Sequence, residues 1–362
     1  MDAERSFLLQ LTPVLLGAVI VFGFTGRQLS ILIALLLLNF MLLGLYGISN
    51  HYLTGNATVL WMPGFLKYQE GYHRATGSYY CPDHFAGLME LALAAALALL
   101  LARGIPAPWK GAAALLAVTA VWGIWLSRSR GGGLVLVLLV LLALGWGLAQ
   151  WPPAVRWRIR AATGVALAAL LGVLAVCGGH YVERFKAYPW RQIESSDRYL
   201  MAAAALRAWR TAPVFGIGPG MHQNLWPHFA ASSDGDQKQG IWPKYLNNSF
   251  HSYEAHNDWA QVLEEYGVVG LALFLLAMGA LWSALLTGRR REIRDCAAAG
   301  WQASARIHYW ATLSAMLGGA ALAFHSFGDF NLQIPATVWI LAALVALPVA
   351  RIAREQRSRD PA

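Results

Sequence analysis

Charge is what this sequence has least of. Only 13% of its 362 residues are Asp, Glu, Lys or Arg, against 57% hydrophobic residues and a mean hydropathy of +0.45. So little polar surface cannot cover a water-soluble domain, which excludes the soluble globular class. Cysteine is nearly absent: Cys81, Cys177 and Cys296 are too few and too scattered for a disulfide framework or a thiolate metal site. The chain has no G-x-x-x-x-G-K-[ST] loop for nucleotides, no H-E-x-x-H pair for zinc and no G-x-S-x-G nucleophile elbow. Its histidines do not recur at ligand spacings, so no catalytic metal and no cofactor is expected. No cleavable signal peptide is expected either, because Met1 to Ser6 carries mixed charge and no A-x-A site follows the first apolar run.

What the chain does have is a series of apolar runs of about 17–25 residues, each long enough to cross the hydrocarbon of a bilayer as a helix. Backbone exposed to lipid must satisfy its own hydrogen bonds, and these Leu/Ala-rich runs are too long for barrel strands. The expected fold is therefore an all-α polytopic membrane bundle. Its spans fall near 7–24, 29–48, 83–102, 110–127, 131–150, 162–179, 258–286, 308–326 and 336–351. That makes about nine helices, within an expected range of about 9–12. Three regions follow: N-terminal spans over 1–179 with a short external loop at 49–82, a large loop over 180–257, and C-terminal spans with a tail over 258–362.

The formal charge of +9 does not call for nucleic acid, since Lys and Arg anchor cytoplasmic loops in membrane proteins. The loops around Arg27, Arg103–Lys110, Arg156–Arg160 and Arg289–Arg306, with the tail from Arg351, carry 15 Lys and Arg. The short loops opposite them, with the N-terminus, carry five, which places the first set in the cytoplasm and the 49–82 and 180–257 segments outside. The large loop is expected to be partly helical. "SSDRYLMAAAALRAWRTAPVFGIGPG" offers Ser/Asp caps, an Ala/Leu run, a stop at Pro213 and a glycine-rich turn.

Four stretches can carry chemistry, and all fall on the outer side. In "HSYEAHNDWAQVLEEYGVVG" a polar segment runs directly into an apolar helix. If Asn257 or Asp258 caps that helix, a wheel puts Glu264 near the face of His256 and Glu265 opposite. A carboxylate two turns into such a helix is costly unless it is paired or faces a cavity. The plain alternative is that His256 and Asn257 only cap the helix while a Glu pairs with an Arg. "SRSRGGG" places Arg128 and Arg130 beside three glycines, where a guanidinium fork and exposed N–H groups suit a phosphate or diphosphate. The alternative there is a tight turn with snorkelling arginines. Arg198 and Arg207 share the next helix but lie on opposite faces, so only one of them can enter a given pocket; Arg210 follows. Finally, "FHSFGDFNLQIPA" puts Asp329 at the mouth between two late spans, as a site residue or a helix cap.

The order of these stretches resembles the O-antigen ligase/O-antigen polymerase superfamily of bacterial polytopic membrane proteins. "SRSRGGG" is similar to its S-R-G motif, with Arg130 in the arginine position. "DRYLMAAAALRAWRTAPVFGIGPG" resembles its Arg–helix–Pro–G-x-G-x-G stretch, and Arg207 with Gly218 fits R-x10-G. "HNDWAQVLEEYGVVG" resembles H-N followed by E-x-G-x-x-G, here His256, Asn257, Glu265, Gly267 and Gly270. "HSFGDFNLQIPA" resembles a late D-F-N-L-x-I-P-A segment. "YYCPDHFAGLMEL" is similar to an early N-x-N-H-F-A-G segment, with Cys81 and Asp83 where Asn is usual.

The resemblance implies a glycosyltransferase of the bacterial inner membrane with its site facing the periplasm. Its donor would be an undecaprenyl-diphosphate-linked glycan, and its acceptor a glycan, lipid A-core or protein, with membrane lipid as surroundings and no nucleic acid. It would be metal-independent and inverting at the sugar. In this reading Arg130 and Arg198 stabilise the departing diphosphate, His256 is the general base and Asp329 orients it. Arg207, Arg210, Asn257, Gly218 and Glu265 contribute to substrate binding and support. The rival from another class is a carrier of a small anion such as bicarbonate, which would need charged or broken helices near the bilayer midplane.

Overall fold

The computed structural model describes residues 2–56, 73–102, 105–150, 197–230, 253–299 and 303–359, with Gly179 and Lys186. Every regular element among them is a helix, and the protein is an all-α polytopic membrane protein. In chain order these are α1 (Asp2–Gly23), α2 (Gly26–Thr54), α3 (Pro82–Leu101), α4 (Ala107–Ser127), α5 (Arg130–Gln150), α6 (Asp197–Trp209) and α7 (His222–Ala230). They are followed by α8 (Asp258–Ala299), α9 (Ala303–His325), a short 3-10 turn (Asn331–Gln333) and α10 (Pro335–Arg359).

Seven of the described helices are long and apolar enough to cross a membrane: α1 to α5, α8 and α10. The expected span at 308–326 forms a helix, α9. The expected span at 162–179, except Gly179, lies outside the described residues, as do 57–72 and 231–252 of the two loops expected to be external.

The chain forms two compact units that interleave along the sequence. One comprises Met1–Thr25, Tyr188–Arg291 and Leu322–Ala362; the other comprises Gly26–Ala187 and Glu292–Ala321. In the second, α3 is the core. It is apolar on every side from Leu91 onward and buries 17 of its 20 residues, Asp83, His84 and Glu90 among them, against α2, α4 and α5. Trp310 completes this packing by donating its indole N–H to the Ala95 carbonyl at 2.8 Å. In the first unit α1 runs along α10, where Trp339 Nε1 donates to Thr12 Oγ1 at 3.0 Å. The Tyr266 hydroxyl also donates to Gln10 there.

The element that shapes the first unit is a break in α8. Gly267 has φ 65 and ψ −169, so the helical path stops after Tyr266 and resumes at Val268. In an unbroken helix Val268 and Val269 would donate to the carbonyls of Glu264 and Glu265. Instead Val268 N donates to the Pro213 carbonyl at 3.0 Å and Val269 N to that of Val214 at 3.2 Å. The two carbonyls so released accept from Ile217 N at 2.9 Å and Gly218 N at 3.0 Å. The glycine-rich turn after α6 is thus the partner that satisfies the broken helix, as buried backbone requires.

Only glycine fits at this crossing. A Cβ on Gly216 would stand 2.3 Å from the Glu265 carbonyl carbon, and one on Gly267 would stand 2.3 Å from the Val214 oxygen. Both residues have positive φ as well, at 75 and 65.

Candidate functional site

Asp329 collects the polar groups of the first unit. The loop that follows α9 turns at Ser326–Gly328 and presents the Asp329 carboxylate fully buried, at 0% exposure. Its Oδ1 accepts from the Phe330 amide at 3.0 Å and lies 3.3 Å from His256 Nδ1. Its Oδ2 is 3.9 Å from Arg198 Nη2 and 3.9 Å from His325 Nε2. Arg198 is fixed in addition by Nη1, which donates to the Gly328 carbonyl at 2.6 Å. One carboxylate therefore faces a guanidinium from α6, an imidazole from the entry to α8, and a second imidazole from the end of α9.

His256 sits just before α8 with φ 51, in the left-handed region that a non-glycine side chain seldom enters. Its ring stands edge-on to Phe330, with centroids 4.5 Å apart and planes at 85°. A carboxylate can only accept, so a neutral His256 donates from Nδ1 to Asp329 and carries its lone pair on Nε2. The His256 side chain is 25% exposed, which leaves that lone pair open to a substrate hydroxyl.

The neighbouring residues stitch the α8 entrance to the Asp329 loop. Asn257 is the N-cap: its Oδ1 accepts from the Ala260 amide at 3.0 Å while its Nδ2 donates to the Phe327 carbonyl at 3.1 Å. Asp258, 1% exposed, accepts at Oδ2 from Ser326 Oγ at 2.7 Å and from the Leu332 amide at 2.9 Å. Trp259 Nε1 donates to the Ala323 carbonyl at 3.0 Å. These bonds hold His256 and Asp329 in register.

The wheel reading of Glu264 and Glu265 needs correction. His256 is outside the helix and left-handed, so angles counted from it do not apply; neither glutamate is exposed. Glu264 Oε2 is 2.7 Å from His222 Nδ1, a pair in which neither side chain exceeds 1% exposure. Glu265 accepts from Gln261 Nε2 at 3.1 Å and from the Gly220 amide. Gln261 also bridges to Glu254 and accepts the Ala255 amide at 2.9 Å. Burial, reinforced by the charges of Glu265, Asp258 and Glu264, pushes the Glu254 carboxyl up from 4.5 to about 8 despite the Gln261 hydrogen bond.

The other expected residues are placed as follows. Arg207 is turned to α7, where Nε donates to the Phe229 carbonyl at 2.6 Å, while Arg210 is exposed. Gly218 belongs to the turn that crosses the Gly267 break, with φ 107. Arg130 lies in the second unit, half-buried, as the first residue of α5. There Arg128 ends α4 in the left-handed region with φ 50, and Ser129 caps α5 by accepting the Gly132 amide at 3.1 Å. Arg74 braces this turn, with Nε on the Ser127 carbonyl at 2.7 Å and Nη2 on Asp83 at 2.6 Å.

Sequence reasoning missed His222, Glu254, Gln261 and His325. Of these His325 and Gln261 left a local signal, their i,i+4 spacing to Asp329 and to Glu265. Glu254 lies seven residues before its partner Gln261, and only His222 meets its partner, Glu264, across a long stretch of chain. Among the described residues no group of three or more His, Cys, Asp or Glu side chains converges in a way that could hold a metal ion.

Residues 112–275 match the family model described as O-antigen ligase. The match takes in most of α4, all of α5 to α7 and the opening of α8 with His256, and it ends before Asp329. No curated protein matches the chain. The superfamily resemblance carried by the motifs is thus supported over this region, and the apolar helices make the chain a multi-pass membrane protein.

Proposed function

We propose, from the O-antigen ligase domain over residues 112–275, that the protein transfers or polymerises an undecaprenyl-diphosphate-linked glycan at the periplasmic face of the bacterial inner membrane. The observation that carries this reading is the convergence of His256 and Arg198 on the buried Asp329 carboxylate. An acceptor hydroxyl placed at His256 Nε2 would lose its proton to that nitrogen as its oxygen attacks the anomeric carbon. The bond from that carbon to the diphosphate breaks, and its electron pair leaves on the diphosphate oxygen. Direct displacement of this kind inverts the sugar and needs no metal.

Asp329 would hold the imidazole in the Nδ1–H tautomer and stabilise the imidazolium that forms, as carboxylates do beside catalytic histidines. A diphosphate is a good leaving group that needs donors more than an acid, and Arg198 is the guanidinium beside this histidine. The assignment of Arg130 to the same leaving group rests on its motif alone. Asn257 and Glu265 serve by holding the entrance of α8, and Arg207 by holding α6 to α7.

The test compares wild type with His256→Ala, each purified in detergent and given an undecaprenyl-diphosphate-linked oligosaccharide with glycan, lipid A-core and peptide acceptors. Wild type should release undecaprenyl diphosphate together with a glycosylated product, and the variant should be slower by about 10²–10⁴-fold. The acceptor consumed distinguishes ligase, polymerase and protein-glycosylating roles. No turnover with any acceptor, alongside anion uptake by the protein in liposomes, would replace this reading with the carrier.

A further inference from the structure

The left-handed backbone of His256, at φ 51, persists in a non-glycine residue only where its surroundings over-determine it. On the C-terminal side the hold comes from the loop that carries Asp329. Asn257 Nδ2 donates to the Phe327 carbonyl at 3.1 Å, and the Asp258 amide donates to the Ser326 carbonyl at 3.0 Å. On the N-terminal side the hold comes from Gln261, a buried side chain in the first turn of α8. Its Oε1 accepts the Ala255 amide at 2.9 Å, and its Nε2 donates to Glu265 at 3.1 Å and to Glu254.

The chemistry of these partners fixes which way the carboxamide points. A backbone amide can only donate, so the Gln261 oxygen must face Ala255, and its two N–H groups are left for the two carboxyl groups. Ala255 is fully buried, so its amide has no water to turn to if that oxygen is removed. The bond closes the chain from Ala255 to Gln261 into a loop with His256 inside it. Once it is broken, nothing on that side opposes relaxation of φ at His256 toward the ordinary region. Such a rotation carries the imidazole away from Asp329 Oδ1, now 3.3 Å from Nδ1, and with it goes the tautomer that leaves Nε2 bare.

We propose that Gln261 is a positioning residue: by holding the Ala255 amide it keeps His256 in its left-handed conformation, with Nδ1 on Asp329 and Nε2 open to the acceptor. The inference rests on the functional reading above for its consequence in catalysis, but the tautomer of His256 can be measured without any reaction.

Two measurements test it. The first is ¹⁵N NMR of histidine-labelled protein in bilayers at neutral pH, with the His256 signal assigned by its loss in His256→Ala. Wild type should show a protonated Nδ1 and a bare Nε2, and Gln261→Leu a mixture of the two tautomers. Gln261→Met, of the same length and equally unable to hold the Ala255 amide, stands in should Gln261→Leu fail to fold. Gln261→Glu still accepts that amide, and Glu254, whose carboxyl is pushed by burial up to about 8, can donate to it; this variant should keep the wild-type tautomer. A tautomer absent from wild type, unchanged in Gln261→Leu or lost equally in Gln261→Glu would overturn the proposal. The second measurement is kcat and KM with an undecaprenyl-diphosphate-linked oligosaccharide. Gln261→Leu should lower kcat by about 10²-fold with little change in KM, the size typical of displacing a reacting group by about 1 Å. It should lower the residual rate of His256→Ala no further, because its effect passes through that histidine. An equal loss in both backgrounds would mean that Gln261 serves the fold alone, and would overturn the proposal. Should wild type show no transfer at all, the functional reading fails while the tautomer of His256 still decides the role of Gln261.

Discussion

Helix α3 and the entrance of α8 are both buried, yet by different means. From Leu91 to Leu99 α3 offers only Leu and Ala, and its backbone is satisfied within the helix, so it needs neighbours that are merely close and apolar. The first turns of α8 bury Asp258, Gln261, Glu264 and Glu265 and then break at Gly267. Each of those polar groups, and each backbone group freed by the break, is met by another part of the chain. Apolar burial tolerates imprecision, whereas polar burial demands a specific partner within hydrogen-bond distance. The lesson is that α3 supplies stability and the α8 entrance supplies geometry.

The comparison can be broken first at Arg198. Arg198→Ala should lower transfer by about 10²–10³-fold, as loss of one donor to a developing anion typically does, while the unfolding temperature changes little. Arg207→Ala, whose Nε is committed to the Phe229 carbonyl, should cost distinctly less activity. The opposite ranking in the oligosaccharide transfer assay would mean that the other face of α6 meets the donor. Next in size is the helix break. Gly267→Ala forces a left-handed alanine and a 2.3 Å contact with the Val214 oxygen, so the folded yield and unfolding temperature in detergent should fall sharply. Gly279→Ala in the same helix meets open space and should be neutral or slightly stabilising. Equal behaviour of the two would dissolve the idea of a built crossing.

On the apolar side the expected effect is smaller. A Cβ at Gly47 would come within 2.3 Å of the Phe85 ring, so Gly47→Ala should cost about 1–3 kcal/mol by overpacking against α3. Thermal unfolding reads this directly, and a variant as stable as wild type would show that α3 has slack. The smallest effect concerns pH. Glu254 has its folded value raised from 4.5 to about 8, so its contribution to stability is complete below pH 4.5 and is lost as pH rises through 8. Unfolding temperature should decline over that window in wild type and decline less in Glu254→Gln. A parallel decline in both would remove Glu254 as the cause.

How much of this was legible follows from how far each interaction reaches along the chain. The apolar spans, the Asn257 cap and the polar entrance to α8 are local patterns, readable within a few turns. Asp329 and His256 could be singled out one at a time, but their 3.3 Å approach links positions 73 residues apart. The pairing of His222 with Glu264 left no trace in periodicity, since one lies on α7 and the other on α8. The wheel misplaced the glutamates because it assumed helical geometry at His256, where φ is 51.

Hydropathy and backbone propensity act over one element at a time, so the sequence by itself determined an all-α membrane protein, the positions of most of its helices and the glycine-rich and polar stretches between them. Which carboxylate faces which histidine was decided only by the tertiary structure. So was the role of the glycines at 216 and 267, which let one backbone complete the hydrogen bonds of another. The reason is physical: burial of a charge or an open carbonyl is permitted only once a distant segment brings its partner, and nothing within the local sequence specifies that encounter.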